Sequence, residues 1–239
     1  MYCFFWRKKH LGFLLIIIFV IAVASFLGYD IKQSNMVMTT MTSEPIYQGN
    51  TEYQKIALTF NVDWGTEYIP QILTILKENN AKATFFVTGR IAKKEPEIVK
   101  QIATAGQEIG NHGYLHPHPD SMNKSQNQLD IKQAEEAILL ASGQTTKLYA
   151  PPYGEHKPHV VEAAEEIGYK TIMWTVDTVD WDKSRQPDTI AAKVLDGAQN
   201  GAIVLMHPTD RTVSALKKIV SELQKQGFEL TTVSNILAK

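Results

Sequence analysis

His112 and His116 stand four residues apart in the segment Gly110-Asn111-His112-Gly113-Tyr114-Leu115-His116-Pro117-His118-Pro119. Two imidazoles at that spacing can meet one cation, and Asp63, from a distant segment, can complete a facial set of three nitrogen and oxygen donors. An open position on such an ion holds water, as hydrolytic sites require. The rival reading is a pair of surface or packing histidines, and His116-Pro117-His118 offers a second pairing. His207 closes the apolar run Ala202 to Met206. A histidine there is either a satisfied core residue or a general acid or base at the mouth of a site. Trp64, Trp174 and Trp181 read as core or as sugar-stacking aromatics, with packing behind the site the favoured reading for Trp181. The single cysteine, Cys3, precedes an apolar stretch, so thiolate catalysis and an intramolecular disulfide are both excluded from the globular region.

These residues need elements to carry them. Short β-rich runs alternate with helical patterns from Lys55 onward. The strand candidates are Lys55–Phe60, Ala83–Thr88, Glu108–Asn111, Lys147–Pro151, Lys170–Val176, Ala202–His207 and Phe228–Val233. Between them, Ile69-Ile72-Leu73-Ile75-Leu76 and Leu216-Ile219-Val220-Leu223 repeat at three- and four-residue spacing, which predicts amphipathic helices. Gly106, Gly168 and Gly227 each follow a helical run, where a left-handed cap is expected. Strand–helix alternation implies an α/β fold with a parallel sheet and helices outside it; a barrel and an open doubly wound sheet satisfy it equally. In both, ligands gather at the C-terminal ends of the strands. Asn61 and Asp63, His112 and His116, Tyr153, Asp177 and Asp180, and His207 all follow strands, so they are expected to converge. No G-x-G-x-x-G is present to support a nucleotide site.

The chain has 239 residues and a formal net charge of -1, so no broad basic face for nucleic acid is indicated. Residues 11–28 are eighteen in a row without a charge, behind Arg7, Lys8, Lys9 and His10. That length is just enough to span a bilayer, and the basic flank predicts a cytoplasmic tail at 1–10 and an exported C-terminal domain. Cleavage is the rival, because Ala22-Val23-Ala24 has the small-x-small pattern before Ser25. A linker at 29–54 and one globular domain at 55–237 follow. The expected locations are the cell membrane, single-pass with an external domain, or the exterior if the leader is removed.

Five segments, in order, resemble the NodB-homology polysaccharide deacetylases, carbohydrate esterase family 4. They are Thr59 to Asp63, His112 to His116, Ala150 to Gly154, Asp177 to Trp181, and Leu205 to His207. The resemblance covers about Lys55 to Leu237 and is nearest to cell-wall and sporulation members of Gram-positive bacteria. It implies a distorted (β/α) barrel of about seven parallel strands, a divalent ion (Zn2+ first, with Co2+, Ni2+ or Mn2+ as alternatives) and removal of N-acetyl groups from amino-sugar polymers. By this resemblance Asp63, His112 and His116 hold the ion, and His207 is the general acid for the leaving amine. Asp180 supports the site from behind, and the backbone at Tyr153 helps form the oxyanion site. Pro152, Tyr153 and Trp181 contact the glycan.

Two positions depart from the family pattern. Asn61 stands where the general-base Asp is expected, and an amide cannot take a proton from water. Ala150 stands where an Arg usually tethers that base through a fourth-segment Asp. Lys147 and Arg185 are the candidate replacements for the lost cation, and Glu67 for the lost base. The expectation is an N-deacetylase of peptidoglycan, monomeric, with turnover weakened by Asn61. A silent metal- and glycan-binding wall protein is the alternative, and hydrolysis of another C–N bond a third.

Overall fold

A computed structural model describes residues 44–238 of the chain. The basic tail, the apolar run at 11–28 and most of the expected linker lie outside the described residues. No helix among the described residues is long and apolar enough to cross a membrane.

Strand β1 (Lys55–Val62) is the centre of the sheet, and every residue after Lys55 is buried. Such a continuous run suits a parallel strand covered on both faces. Around it stand β2 (Thr84–Val87), β3 (Glu108–Asn111), β4 (Leu148–Tyr149), β5 (Lys170–Thr171), β6 (Val176–Asp177), β7 (Ala202–Met206) and β8 (Glu229–Thr231). The order is β5-β4-β3-β2-β1-β7-β6, with β8 on the first residues of β1, and all these pairings are parallel. Seven strands thus form a curled half-barrel with helices around it, a distorted (β/α) barrel.

The helices settle as their patterns require. Helix α1 (Ile69–Glu78) buries Ile69, Ile72, Leu73, Ile75 and Leu76 against the sheet. Helices α2 (Gly89–Lys94), α3 (Pro96–Thr104), α4 (Lys124–Ser142), α5 (Pro158–Glu166) and α6 (Pro187–Asp196) follow in turn. Helix α7 (Asp210–Lys225) buries Leu216, Ile219, Val220 and Leu223, and α8 (Val233–Leu237) ends the described chain. Gly106, Gly168 and Gly227 all have positive φ, as left-handed helix ends demand.

Two boundaries differ from the sequence reading. The run Lys170–Val176 is two strands, not one, because it crosses from one end of the sheet to the other. β5 pairs with β4 and β6 with β7. Thr175 marks the crossing: besides its N–H donating to Ile203 O at 3.0 Å, its hydroxyl donates to Ile203 O at 3.1 Å and accepts from Ile203 N at 2.8 Å. Secondly, the last part of the stretch read as a linker joins the domain. Ile46 N donates to Thr171 O and Ile46 O accepts from Met173 N, both at 2.8 Å, while Gly49 N donates to Gly201 O. The segment from Ile46 to Gly49 thereby spans the opening between β5 and β7, and the domain begins before Lys55.

Candidate active site

The C-terminal ends of β1, β2, β3, β4, β6 and β7 share one rim. A cavity of about 470 Å³ opens there, lined by Asn61, Asp63, His112, His116, Tyr153 and His207 together with Trp64, Trp174, Asp177 and Trp181. Residues from five distant stretches of chain meet because parallel strands all point their ends the same way.

His112 is buried at the end of β3, and its Nδ1 donates to Ala150 O at 2.7 Å. A carbonyl only accepts, so the proton sits on Nδ1 and the Nε2 lone pair is free. Burial first, and then neighbouring His116, push its pKa down to about 3, which keeps the ring neutral. His116 is half-buried, with ring centroids 4.9 Å apart and planes at 72° to His112. Burial also lowers its pKa, Asp63 acts against that, and Arg90 adds to it. Its backbone is left-handed, with φ 56°. The loop is held in this uncommon conformation by Tyr114 N donating to Asp130 Oδ2 at 2.9 Å and Gly113 N donating to Asn111 Oδ1 at 2.8 Å.

Asp63 is buried, yet both its oxygens are occupied. Arg90 Nε donates to Oδ1 at 2.6 Å, and its terminal nitrogen pairs with Oδ2. Sequence reasoning missed Arg90. Its one signal was position: it stands three residues past the end of β2, in the same rim as the other polar strand-end residues.

Asn61 is buried at 6% exposure, and its Oδ1 has no hydrogen-bond partner. A buried acceptor left bare is costly unless something donates to it or a cation faces it. On the other side of the cavity, the Asp180 carboxylate has no such deficit. Asp180, fully buried, accepts from His207 Nδ1 at 2.8 Å, from His207 N at 2.7 Å and from Thr212 Oγ1 at 2.5 Å. His207 therefore carries its proton on Nδ1 and offers Nε2 to the cavity, while the Trp64 ring lies parallel to it with centroids 5.8 Å apart.

Tyr153 has a left-handed backbone, φ 58°, and stacks on His118 with centroids 4.0 Å apart and planes at 7°. His118 in turn bonds Glu155 at 2.8 Å, so it serves Tyr153 and the loop rather than pairing with His116 toward an ion. Trp181 is 56% exposed at the cavity mouth, against the reading that favoured packing behind the site. Pro152 is buried within the wall and is not among the lining residues. Lys147 pairs with Glu135 at 2.7 Å and so does not serve Asp177 or Asp180. The partner of Asp180 is His207, and Arg211 reaches only its backbone oxygen, at 3.3 Å. Arg185 makes no ion pair with either aspartate. Glu67 lies exposed on the turn Thr66–Tyr68, outside the lining.

The donor chemistry at Asp63, His112 and His116 suits a divalent cation: two neutral imidazoles and a carboxylate, beside an unpartnered amide oxygen. Among the described residues, no three His, Cys, Asp or Glu side chains are gathered as an ion would gather them. Arg90 occupies both oxygens of the carboxylate.

The curled parallel α/β barrel thus carries an Asp–His pair and a His pair at its strand ends, where such folds place their sites. The sequence profile of the polysaccharide deacetylases matches residues 48–172, and the chain belongs to that family. Its members are generally metal-dependent. The chain is 36% identical over 211 residues to the Bacillus subtilis protein YlxY, covering 88% of this chain and 66% of that protein. It is 37% identical over 195 residues to a Bacillus cereus peptidoglycan-N-acetylglucosamine deacetylase, covering 80% and 70% of the two. Among solved structures, wild-type BA3943 of Bacillus anthracis, a CE4 family pseudoenzyme, superposes with a TM-score of 0.79 at 39% identity, over 82% of this chain and 69% of that one. A mutant of that protein has restored enzymatic activity.

Proposed function

We propose that this chain is a metal-dependent N-deacetylase of cell-wall amino-sugar polymers, peptidoglycan first, with turnover held down by Asn61. One observation carries this reading. The cavity pairs a fully bonded Asp180–His207 couple with a buried Asn61 whose oxygen meets nothing. Peptidoglycan deacetylases among its relatives support the substrate class. The apolar run at 11–28 supports export toward the wall, tethered or released, with the domain outside the membrane.

Asp63, His112 and His116 would hold the ion, zinc foremost, and it would supply Lewis-acid polarisation of water and of the acetamide carbonyl. The remaining steps belong to this chain. Asp180 fixes the His207 tautomer, so Nε2 is the atom that exchanges a proton with the leaving nitrogen. The backbone at Tyr153 lines the wall beside the reacting carbonyl. Exposed Trp181 and the Tyr153 ring flank the entrance, where sugar faces can lie against them. At Asn61 the attacking water finds an amide, which accepts a hydrogen bond and never the proton.

A second reading, a silent glycan-binding protein of the wall, is favoured by the Arg90 hold on Asp63 and by the likeness to a pseudoenzyme. Acetate release from chitooligosaccharides and from purified peptidoglycan separates the two. Asn61→Asp is expected to raise the rate by about 10²–10⁴. High native activity, unchanged by the substitution, refutes the role given to Asn61. Glycan binding with no hydrolysis by either protein establishes the second reading.

A further inference from the structure

Arg90 has a built position. Gly89 N donates to Gly113 O and Arg90 N to Tyr114 O, both at 2.9 Å, which pins the start of α2 to the loop that carries His116. This close approach needs glycine at 89: a Cβ there would run into the Tyr114 ring and come within 2.8 Å of Ala134 Cα. The arginine is thus delivered to the cavity rim by a fixed backbone, and its fork covers both oxygens of a carboxylate only 7% exposed. The Arg90 side chain as a whole is 46% exposed, so it has a solvent path along which to leave. A planar fork on a buried carboxylate is a specific, charge-assisted pair. An incoming dication must take an oxygen from it and must do so against its positive charge.

We propose that Arg90 is a tethered cation that competes with a divalent ion for Asp63, so that ion binding requires displacement of its side chain. The proposal rests on the reading of Asp63, His112 and His116 as ligands. It makes Arg90 a determinant of metal affinity, opposite in sign to a residue that merely orients the ligand. An orienting partner strengthens binding, and its loss weakens it.

The test is titration of the purified, chelator-treated protein with Zn2+ against a chromophoric chelator, repeated with Co2+ to read its visible absorption. Native protein, Arg90→Gln, Arg90→Lys and His112→Ala are compared. Arg90→Gln is expected to bind Zn2+ on the order of tenfold more tightly than native. Arg90→Lys, which keeps the charge and loses the fork, falls between them. His112→Ala, alone and combined with Arg90→Gln, loses the tight site. In chelator, Arg90→Gln should melt roughly 2–4 °C lower, because Asp63 loses its counter-charge, and added Zn2+ should reverse that order. Weaker or equal Zn2+ binding by Arg90→Gln, with His112→Ala still weakening it, overturns the competition while leaving the ligand assignment standing. Zn2+ binding indifferent to His112→Ala overturns the ligand assignment and the proposal with it. If Arg90→Gln fails to fold, the Arg90→Lys arm decides the sign alone.

Discussion

The two walls of the cavity are built to different standards. On the β6–β7 side, every polar group of Asp180 is used. It holds the His207 ring, the His207 backbone and Thr212, whose own N–H donates to the capping Thr209 hydroxyl at 2.9 Å. On the β1 side, the Asn61 oxygen touches nothing polar, Ala150 contributes only a carbonyl to His112, and Asp63 is held by an arginine. The difference has a physical source. Asp180 joins the end of β7 to the first turn of α7, so the fold depends on it whether or not any reaction takes place. The Asn61 oxygen has no partner, so a substitution there should cost the fold little.

Placing the chemistry of both walls in one background breaks or sharpens that contrast most strongly. In Asn61→Asp protein, His207→Ala is expected to lower acetate release by about 10²–10⁴. In the native background the same substitution should change the rate little, since in the proposed reading turnover is limited at Asn61 and not by proton delivery. A loss of equal size in both backgrounds, measured as kcat/KM on chitooligosaccharide, would mean that the β1 wall already works. Next in size is stability. Asp180→Asn leaves at least one of three donors facing an amide nitrogen, and should lower the unfolding free energy by about 2–4 kcal/mol. Asn61→Ala removes an amide whose acceptor is unpaired and should stay within about 1 kcal/mol of native. Urea denaturation of the two variants measures the asymmetry directly, and equal losses would end the argument that the scaffold leans on one wall only.

Much of this arrangement was legible in the chain. Buried parallel strands read as unbroken apolar runs, and the polar residue that ends each run marks the rim. That is why Asp63, His112 and His207 were found in segments far apart. The split between β5 and β6 was hidden because Thr175 is as good a strand former as its neighbours, and only its bonds to Ile203 show that it turns the chain. Ile46 sits in a stretch without period, so its role beside β5 depends on partners 125 or more residues away. Arg90 looked like any surface basic residue near Lys93 and Lys94. Its identity as the partner of Asp63 is a tertiary fact, fixed by where Gly89 lets the helix dock. The pattern reading of Trp181 as packing behind the site failed for a related reason: an aromatic after a buried aspartate reads as core, while the left-handed Val179 (φ 55°) nearby belongs to a turn that leaves the ring at the mouth.

That exposed ring supplies the smallest predicted effect and the finest test of the contrast. Trp181 is 56% exposed, so truncation removes little buried area and the unfolding free energy of Trp181→Ala should stay within about 0.5 kcal/mol of native. A sugar face against the indole loses its platform, worth about 1 kcal/mol, so chitooligosaccharide affinity should fall roughly fivefold. Trp64→Ala is expected to do more, because that ring also lies parallel to His207 and limits its rotation. In the Asn61→Asp background, therefore, Trp181→Ala should raise KM and spare kcat, whereas Trp64→Ala should lower kcat as well. If both variants changed only KM, the Trp64 ring would be a sugar platform and the orientation of His207 would rest on Asp180 alone.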